Sequence, residues 1–270
     1  MTAEQPYKVA RDTWVIPEIF PVPMAGNLYI NTMVITGEQP VIVDTGSAMS
    51  REQWLEKAWS IVDPADVRWI FISHDDGDHV GNLLPVLEAC PNATVCTSWM
   101  AVGRMQTDHG IALPPHRMRL VNDGETIDVG DRQLLAMRPP IFDAPTTRAL
   151  FDPTTGVLWG SDSFGGFVPG PVHDARDLPE DERWDGFLAF NRLVSPWFAM
   201  LDPGKFAAGV DRFQALGVET IATCHGPAFY DGLADEALRR IRQLPGLKAF
   251  DEPTQGQFEA FMASAMAGAA

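Results

Sequence analysis

Runs of apolar residues in the first quarter of the chain predict strands separated by one helix. Residues 27–36 (NLYINTMVIT) and 40–44 (PVIVD) are typical of two strands joined by a Gly-Glu-Gln turn, and 67–73 (VRWIFIS) is typical of a buried strand. Between them, Ser50 is a candidate N-cap with Gln53 at the capping-box position. The apolar residues that follow at helical spacing are Trp54, Leu55, Ala58 and Ile61.

The remaining pattern mixes helices and short strands. It predicts helices over 80–90, 98–108, 205–217, 231–243 and 255–267, and strands at 93–97, at 219–223 and in several runs between 118 and 162. The stretch 164–183 is rich in Gly, Pro and Asp and has no period, so we expect a lid or an active-site loop there.

This order of elements indicates one domain of the α/β class. No linker divides the chain, and we therefore expect residues 1–270 to form a single domain. Strands and helices interspersed along the whole length favour an αββα sandwich over a doubly wound nucleotide-binding sheet, and the G-x-G-x-x-G fingerprint of that sheet is absent from the sequence.

Composition and charge exclude several classes of function. The 270 residues are 46% hydrophobic and carry a formal charge of −16, which argues against nucleic acid or a membrane surface as a partner. The three cysteines have no C-x-x-C spacing and do not indicate a disulfide framework. The N-terminal residues lack the pattern of a signal peptide, and no apolar run is long enough to span a membrane, so we expect a cytoplasmic protein.

The sharpest chemical feature is the segment Ser73-His74-Asp75-Asp76-Gly77-Asp78-His79. It lies between a hydrophobic strand and a predicted helix, and it holds five residues that can bind a metal. At such a turn these side chains can converge, with Gly77 allowing the sharp bend. Imidazole and carboxylate groups are the ligands that divalent metals prefer, so the segment predicts a metal site.

Two further residues stand at strand ends. Asp162 follows a short strand in Gly160-Ser161-Asp162, and His225 follows the strand ETIAT in Cys224-His225-Gly226-Pro227. Open sheets place their sites at the carboxyl ends of strands, so we expect both residues to join the cluster.

Together these motifs resemble the metallo-β-lactamase superfamily. The order is Asp44-Thr45-Gly46, the H-x-D-x-D-H cluster, Asp162, and then Cys-His-Gly-Pro. Hydrolases of that superfamily typically carry a second histidine where this chain has Asp76, whereas flavodiiron and oxygen-binding diiron proteins carry a carboxylate there. Similarity to the diiron branch extends over residues 14–230 and includes the segments Phe20-Pro21-Val22-Pro23, Gly160–Gly165 and Asn191–Pro196.

The resemblance implies a ligand set for two metal ions. The ion that we call metal one would be held by His74 and Asp76, and metal two by Asp78, His79 and His225. Asp162 would bridge them. The branch has a further histidine on metal one, in a His-x-Pro segment. This chain has Asp143-Ala144-Pro145 there, so we expect Asp143 to replace that histidine.

The charge of this ligand set indicates which metal it suits. Its four carboxylates are Asp76, Asp78, Asp143 and Asp162, and their summed charge of about −4 would balance two divalent cations. A site rich in oxygen donors favours iron, with manganese or zinc as alternatives. An extra carboxylate also favours the higher oxidation state of iron, by the same electrostatics that shifts pKa values.

The resemblance further implies the activity and the partners. The first expectation is a diiron oxidoreductase that binds or activates dioxygen, acts on a small molecule and forms a homodimer, with Asp162 setting the distance between the metals. Too few residues follow His225 for the flavin domain of flavodiiron proteins, so we expect electrons to come from a separate protein or another reductant. One alternative is a dimetal hydrolase in which Asp78 orients a bridging hydroxide. The other is an oxygen or redox sensor.

Overall fold

The computed structural model describes residues 4–22, 24 and 26–268. The strands are β1 (Tyr7–Ala10), β2 (Thr13–Ile16), β3 (Ile19–Val22), β4 (Gly26–Tyr29), β5 (Thr32–Ile35), β6 (Val41–Val43), β7 (Trp69–Phe71), β8 (Thr94–Thr97), β9 (Met118–Leu120), β10 (Thr126–Asp128), β11 (Gln133–Met137), β12 (Ala149–Asp152), β13 (Val157–Trp159), β14 (Thr220–Ala222) and β15 (Phe229–Tyr230). The α-helices are α1 (Arg51–Ile61), α2 (Gly77–Val80), α3 (Leu83–Ala89), α4 (Trp99–His109), α5 (Glu180–Val194), α6 (Pro203–Gln214), α7 (Gly232–Ile241) and α8 (Gln255–Gly268).

Two mixed sheets form the centre of the molecule. The first has the order β1-β2-β5-β6-β7-β8-β9, with β6 to β9 parallel, and the second runs from β10 to β15 in chain order, with β13 and β14 parallel. Strands β3 and β4 form a separate hairpin. Since parallel neighbours end at the same edge, β6, β7, β13 and β14 deliver the residues that follow them to one side of the molecule.

Side-chain alternation along these strands divides the core into three layers. Val43 and Phe71 point between the sheets and pack in one cluster with Trp159 of β13. Their neighbour Ile42 points outward, into the cluster that contains Trp54 of α1. On the other side, outward-facing residues of the second sheet pack against α5, α6 and α7. The result is the predicted metallo-β-lactamase αββα sandwich, whose assignment to the α/β class is confirmed.

The predicted strand over 27–36 is wrong as one element. It is divided into β4 and β5, which belong to different sheets. Between them the backbone N–H of Asn31 donates to the carbonyl of Cys224, and its side-chain amide donates to the carbonyls of Thr223 and Gly226. The break therefore fastens this segment to the loop that carries His225.

The predicted helix over 80–90 is also divided, into α2 and α3. Pro85 would lack a backbone donor in the interior of a continuous helix, but the restart at Leu83 places it in the first turn, where no donor is needed. Asn82, between the two helices, donates to the carbonyls of Thr45 and Ser47. Helix α2 is thereby tied to the loop after β6.

The structure refines two local predictions, the N-cap at Ser50 and the loop over 164–183. Ser50 is the N-cap of α1 but makes no capping hydrogen bond, and the capping oxygen is that of Ser47, which accepts from the N–H of Met49 in the preceding 3₁₀ turn. The aperiodic stretch 164–183 contains a 3₁₀ turn, Ala175–Asp177, and the beginning of α5.

Pro23 of the segment that resembles the diiron branch lies outside the described residues.

Candidate metal centre

Three strand ends, a loop, a turn and a short helix bring together the side chains of the site. His74 follows β7, Asp162 follows β13 and His225 follows β14, while Asp143 comes from the loop between β11 and β12. The turn after His74 carries Asp76, and helix α2 contains Asp78 and His79. All seven residues proposed as ligands from the sequence lie at this edge.

The local backbone explains part of this convergence. Gly77 is the first residue of α2, and a Cβ atom there would meet only His109, at 4.0 Å, so the bend does not depend on that glycine. The close approach is at Gly81, where a Cβ would lie 2.4 Å from the backbone nitrogen of Ala48. Glycine is therefore required at Gly81, where α2 meets the loop after β6.

The first group of donor atoms surrounds His74. Its Nε2 lies 3.8 Å from Oδ2 of Asp76, 3.8 Å from Oδ2 of Asp143 and 3.6 Å from Oδ2 of Asp162. The imidazole is fully buried, while Asp76 and Asp143 are partly exposed. Donors that each lie about 2 Å from a shared ion are separated by up to about 4 Å, so this spacing suits one cation.

The second group surrounds the other oxygen of Asp162. Its Oδ1 lies 2.9 Å from Nε2 of His79 and 3.2 Å from Nε2 of His225. Oδ2 of Asp78 lies 3.8 Å from Nε2 of His79 and 3.5 Å from Nε2 of His225. Asp162 therefore presents one carboxylate oxygen to each group, as a bridging ligand would.

The donor atoms themselves fit a cation. In the part of the chain that the structure describes, Nε2 of His74, Nε2 of His79 and Oδ1 of Asp162 are buried and have no hydrogen-bond partner; the short contact between the last two lacks hydrogen-bond orientation. A buried polar atom without a partner costs about 1–3 kcal/mol. Metal ions would satisfy all three atoms, so the residues present fit a two-metal centre.

The opposite ring nitrogens of the histidines fix their orientation. Nδ1 of His79 lies 3.0 Å from Oδ2 of Asp44, and Nδ1 of His225 lies 2.6 Å from the carbonyl oxygen of Tyr29. Because both oxygens only accept hydrogen bonds, each Nδ1 is the donor, and each Nε2 is the ring nitrogen left to bind a cation. Nδ1 of His74 contacts the hydroxyl of Ser161, at 3.1 Å.

The pKa values of two of the carboxylates, Asp143 and Asp162, are shifted in opposite directions. Burial, reinforced by the charge of Asp162, raises the pKa of Asp143 to about 6. Burial would raise the pKa of Asp162 as well, but His225, His74 and His79 outweigh it and hold that pKa well below its usual range. The centre of the site therefore keeps its negative charge, while Asp143 takes up a proton at a higher pH than an ordinary aspartate does.

Some residues of the site were missed or misplaced by sequence reasoning. Asp75, counted among the five potential ligands, is fully buried but turns away and accepts a hydrogen bond from Thr146. Asp44 was noted only as part of a motif. It is fully buried in a left-handed conformation (φ 59°), and its carboxylate accepts from Ser73 and Trp159 as well as from His79.

The family of the chain follows from comparison with known sequences. The family model described as ODP family beta lactamase matches residues 28–226, which is most of the chain. The chain belongs to this family. The match spans all seven residues of the site, and the resemblance to the metallo-β-lactamase superfamily inferred from the motifs is confirmed.

Related sequences are named as flavoproteins and reductases. Diflavin flavoprotein A 2 of Nostoc sp. is 29% identical over 75% of this chain and 34% of its own length. A nitric oxide reductase of Moorella thermoacetica is 24% identical over 73% of this chain and 48% of its own length. The chain thus spans about one third of the length of the diflavin relatives.

Solved structures confirm the fold. Rubredoxin oxygen:oxidoreductase of Desulfovibrio gigas matches 90% of this chain and 62% of its own, with a TM-score of 0.77 at 19% identity. A fragment of diflavin flavoprotein A 5 of Nostoc sp. matches 97% of this chain and 98% of its own, with a TM-score of 0.70 at 17% identity. Among the described residues, no helix has the length and apolar character needed to span a membrane.

Proposed function

We propose that this chain is a diiron oxidoreductase that reduces dioxygen or nitric oxide. The observation that carries the proposal is the position of Asp162, one oxygen of which faces His74 while the other faces His79 and His225. Relatives whose names specify reduction of nitric oxide or reaction with oxygen support the choice of substrate.

The ligand assignment is part of the proposal. Metal one would be held by His74, Asp76 and Asp143, metal two by Asp78, His79 and His225, and Asp162 would hold both. Two iron ions would supply one-electron redox chemistry beside a small molecule. Iron is favoured over zinc because Asp76 puts an oxygen donor where hydrolases of the superfamily have a histidine, and manganese suits the same oxygen donors.

The chain's own residues define how a small molecule reaches the site. His74, His79 and Asp162 are buried at the base of the site. Asp76, Asp78 and Asp143 are partly exposed and form the rim of the site. A molecule entering from solvent therefore meets a rim of carboxylates. We expect this acidic rim to favour neutral molecules of diatomic size over anionic substrates.

The partners belong to the proposal as well. We infer that a separate protein supplies electrons to the site and that the chain acts as a homodimer. The three cysteines lie among the described residues and are free and buried. None of them is therefore exposed at the surface, where a thiol could receive electrons from the donor protein.

Metal analysis and oxidant consumption test the proposal together. Protein expressed in iron-replete medium should contain two iron ions per chain. After anaerobic reduction with dithionite and removal of the excess, it should consume dioxygen or nitric oxide that is then added in a known amount. Asp76→His is the matched variant, since it installs the histidine of the hydrolases, and we expect it to shift the bound metal toward zinc. Stoichiometric zinc without iron in the unaltered protein would contradict the diiron proposal and favour the hydrolase alternative.

A further inference from the structure

An ion pair between the buried Asp75 and the partly exposed Arg104 lies next to the donor group around His74. Asp75 is fully buried, and its Oδ2 lies 2.7 Å from Nε of Arg104, which extends from α4. This contact is an ion pair without hydrogen-bond orientation. The same guanidinium reaches Oδ1 of Asp76, at 4.0 Å, and Oδ2 of Asp108, at 3.7 Å.

The other oxygen of Asp75 connects this pair to the second exposed carboxylate of metal one. Oδ1 of Asp75 accepts a hydrogen bond of 2.7 Å from the hydroxyl of Thr146. Thr146 lies in the loop of Asp143, whose Oδ1 accepts from the N–H of Ala144 and, at 3.4 Å, from the hydroxyl of Thr147. Asp75 therefore joins α4 to the loop that presents Asp143.

On these contacts we propose that Arg104 and Asp75 are positioning residues for metal one. The inference rests on the proposed function. Asp76 and Asp143 come from separate turns, and each lies partly exposed at the rim, where packing alone leaves a carboxylate free to rotate. Arg104 holds the turn of Asp76 through its charge, and Asp75 holds the loop of Asp143 through Thr146. This one ion pair thus fixes both carboxylates relative to His74.

A positioning role for Arg104 and a purely electrostatic effect of its charge predict opposite changes in the affinity for metal one. A cationic Arg104 near the site repels a metal ion, so if charge were its only effect, removing it would strengthen binding of metal one. If it positions the ligands, removing it weakens binding. Loss of such supporting contacts typically lowers metal affinity about 10- to 100-fold.

The test is an anaerobic titration of the metal-free full-length chain with Fe(II) against a competing chelator. We expect Arg104→Gln and Asp75→Asn each to weaken binding of metal one by about 10- to 100-fold and to leave metal two unchanged. Arg104→Lys should restore much of that affinity. Asp108→Asn is the matched control, because it removes an exposed partner of Arg104 that is not a proposed ligand, and it should behave as the unaltered chain.

The outcomes separate this inference from the proposed function. If the unaltered chain binds fewer than two ions, the proposed function fails. If it binds two and Arg104→Gln binds metal one equally well or more tightly, only the positioning role is overturned. Retention of metal two shows that a variant is folded. Should Arg104→Gln not fold, unchanged metal-one affinity in Asp75→Asn overturns the inference equally.

Discussion

The carboxylate of Asp44 accepts a hydrogen bond from Nδ1 of His79 across 3.0 Å, with both side chains fully buried. The two residues are 35 positions apart in the chain: Asp44 directly follows β6, and His79 lies in α2, the helix after the neighbouring strand β7. Because a carboxylate only accepts, the contact fixes the tautomer of His79 and aims its Nε2 at Asp162.

Asp44→Asn tests this orientation. The amide offers only one acceptor oxygen and turns its NH₂ group toward a donor, so the orientation of His79 should become less well fixed. We expect the affinity for metal two to fall by about 10- to 100-fold, with metal one retained. Titration of the metal-free variant with Co(II), followed by the absorption of each filled site, measures both. Undiminished binding of two ions would show that Asp44 serves the fold alone.

His225→Ala should empty metal two while the chain remains folded. His225 contributes one hydrogen bond, to the carbonyl of Tyr29, whereas the folded core consists of extensive buried clusters on both faces of each sheet. His79→Ala should behave alike. Elemental analysis and circular dichroism check the two halves of the prediction, with the exposed His116→Ala as the matched histidine control. Loss of folded protein in both site variants, but not in the control, would show that the histidines are structural.

Much of this site could be predicted because strand ends are visible in a sequence. A hydrophobic run followed by His74, Asp162 or His225 identifies both the strand and its carboxyl end, and parallel strands end together. The direction of a side chain within a turn carries no such signal. Asp75 stands beside His74 in the chain, yet it turns to Thr146 and Arg104.

Contacts between distant segments were also beyond the sequence pattern. The sequence pattern places Asn31 in the middle of a predicted strand, because many of the residues around it are apolar or β-branched. Its amide instead binds carbonyls 192 and 195 residues further along the chain, on both sides of His225. The break between β4 and β5 depends on that long-range contact, which local propensity does not encode.

Arg132→Met should destabilise the fold without touching the metal centre. The guanidinium is buried and lies 2.9 Å from the buried carboxylate of Asp152, with Asp12 and Asp131 on its other side. Removing it leaves Asp152 as an uncompensated buried charge, which costs about 3–5 kcal/mol. Urea unfolding at pH 7 measures the loss, and Arg239→Met, at an exposed arginine of α7, is the control.

The same variant should change the response to acid. The hydrogen bond from Arg132 lowers the pKa of Asp131 below its ordinary value of 3.8. A lowered pKa in the folded state adds stability above pH 3.8, and that stability is lost as the pH falls through the folded value. The stability difference between Arg132→Met and the unaltered chain should therefore be largest near neutral pH and shrink below pH 4. A difference that stays constant with pH would contradict the assignment.

Substitutions of Asp143 test whether this aspartate replaces the histidine ligand of the diiron branch. Its Oδ2 lies 3.8 Å from Nε2 of His74, so we expect Asp143→Ala to lower the occupancy of metal one and leave metal two filled. Asp143→His would supply a neutral ligand in the same place and retain both ions. Because one negative charge beside the metals is then lost, the reduced state is favoured, and the reduction potential should rise. Redox titration of iron-loaded protein measures that rise. If Asp143→Ala changed neither the metal content nor the potential, Asp143 would be a rim residue and metal one would depend on His74, Asp76 and Asp162 alone.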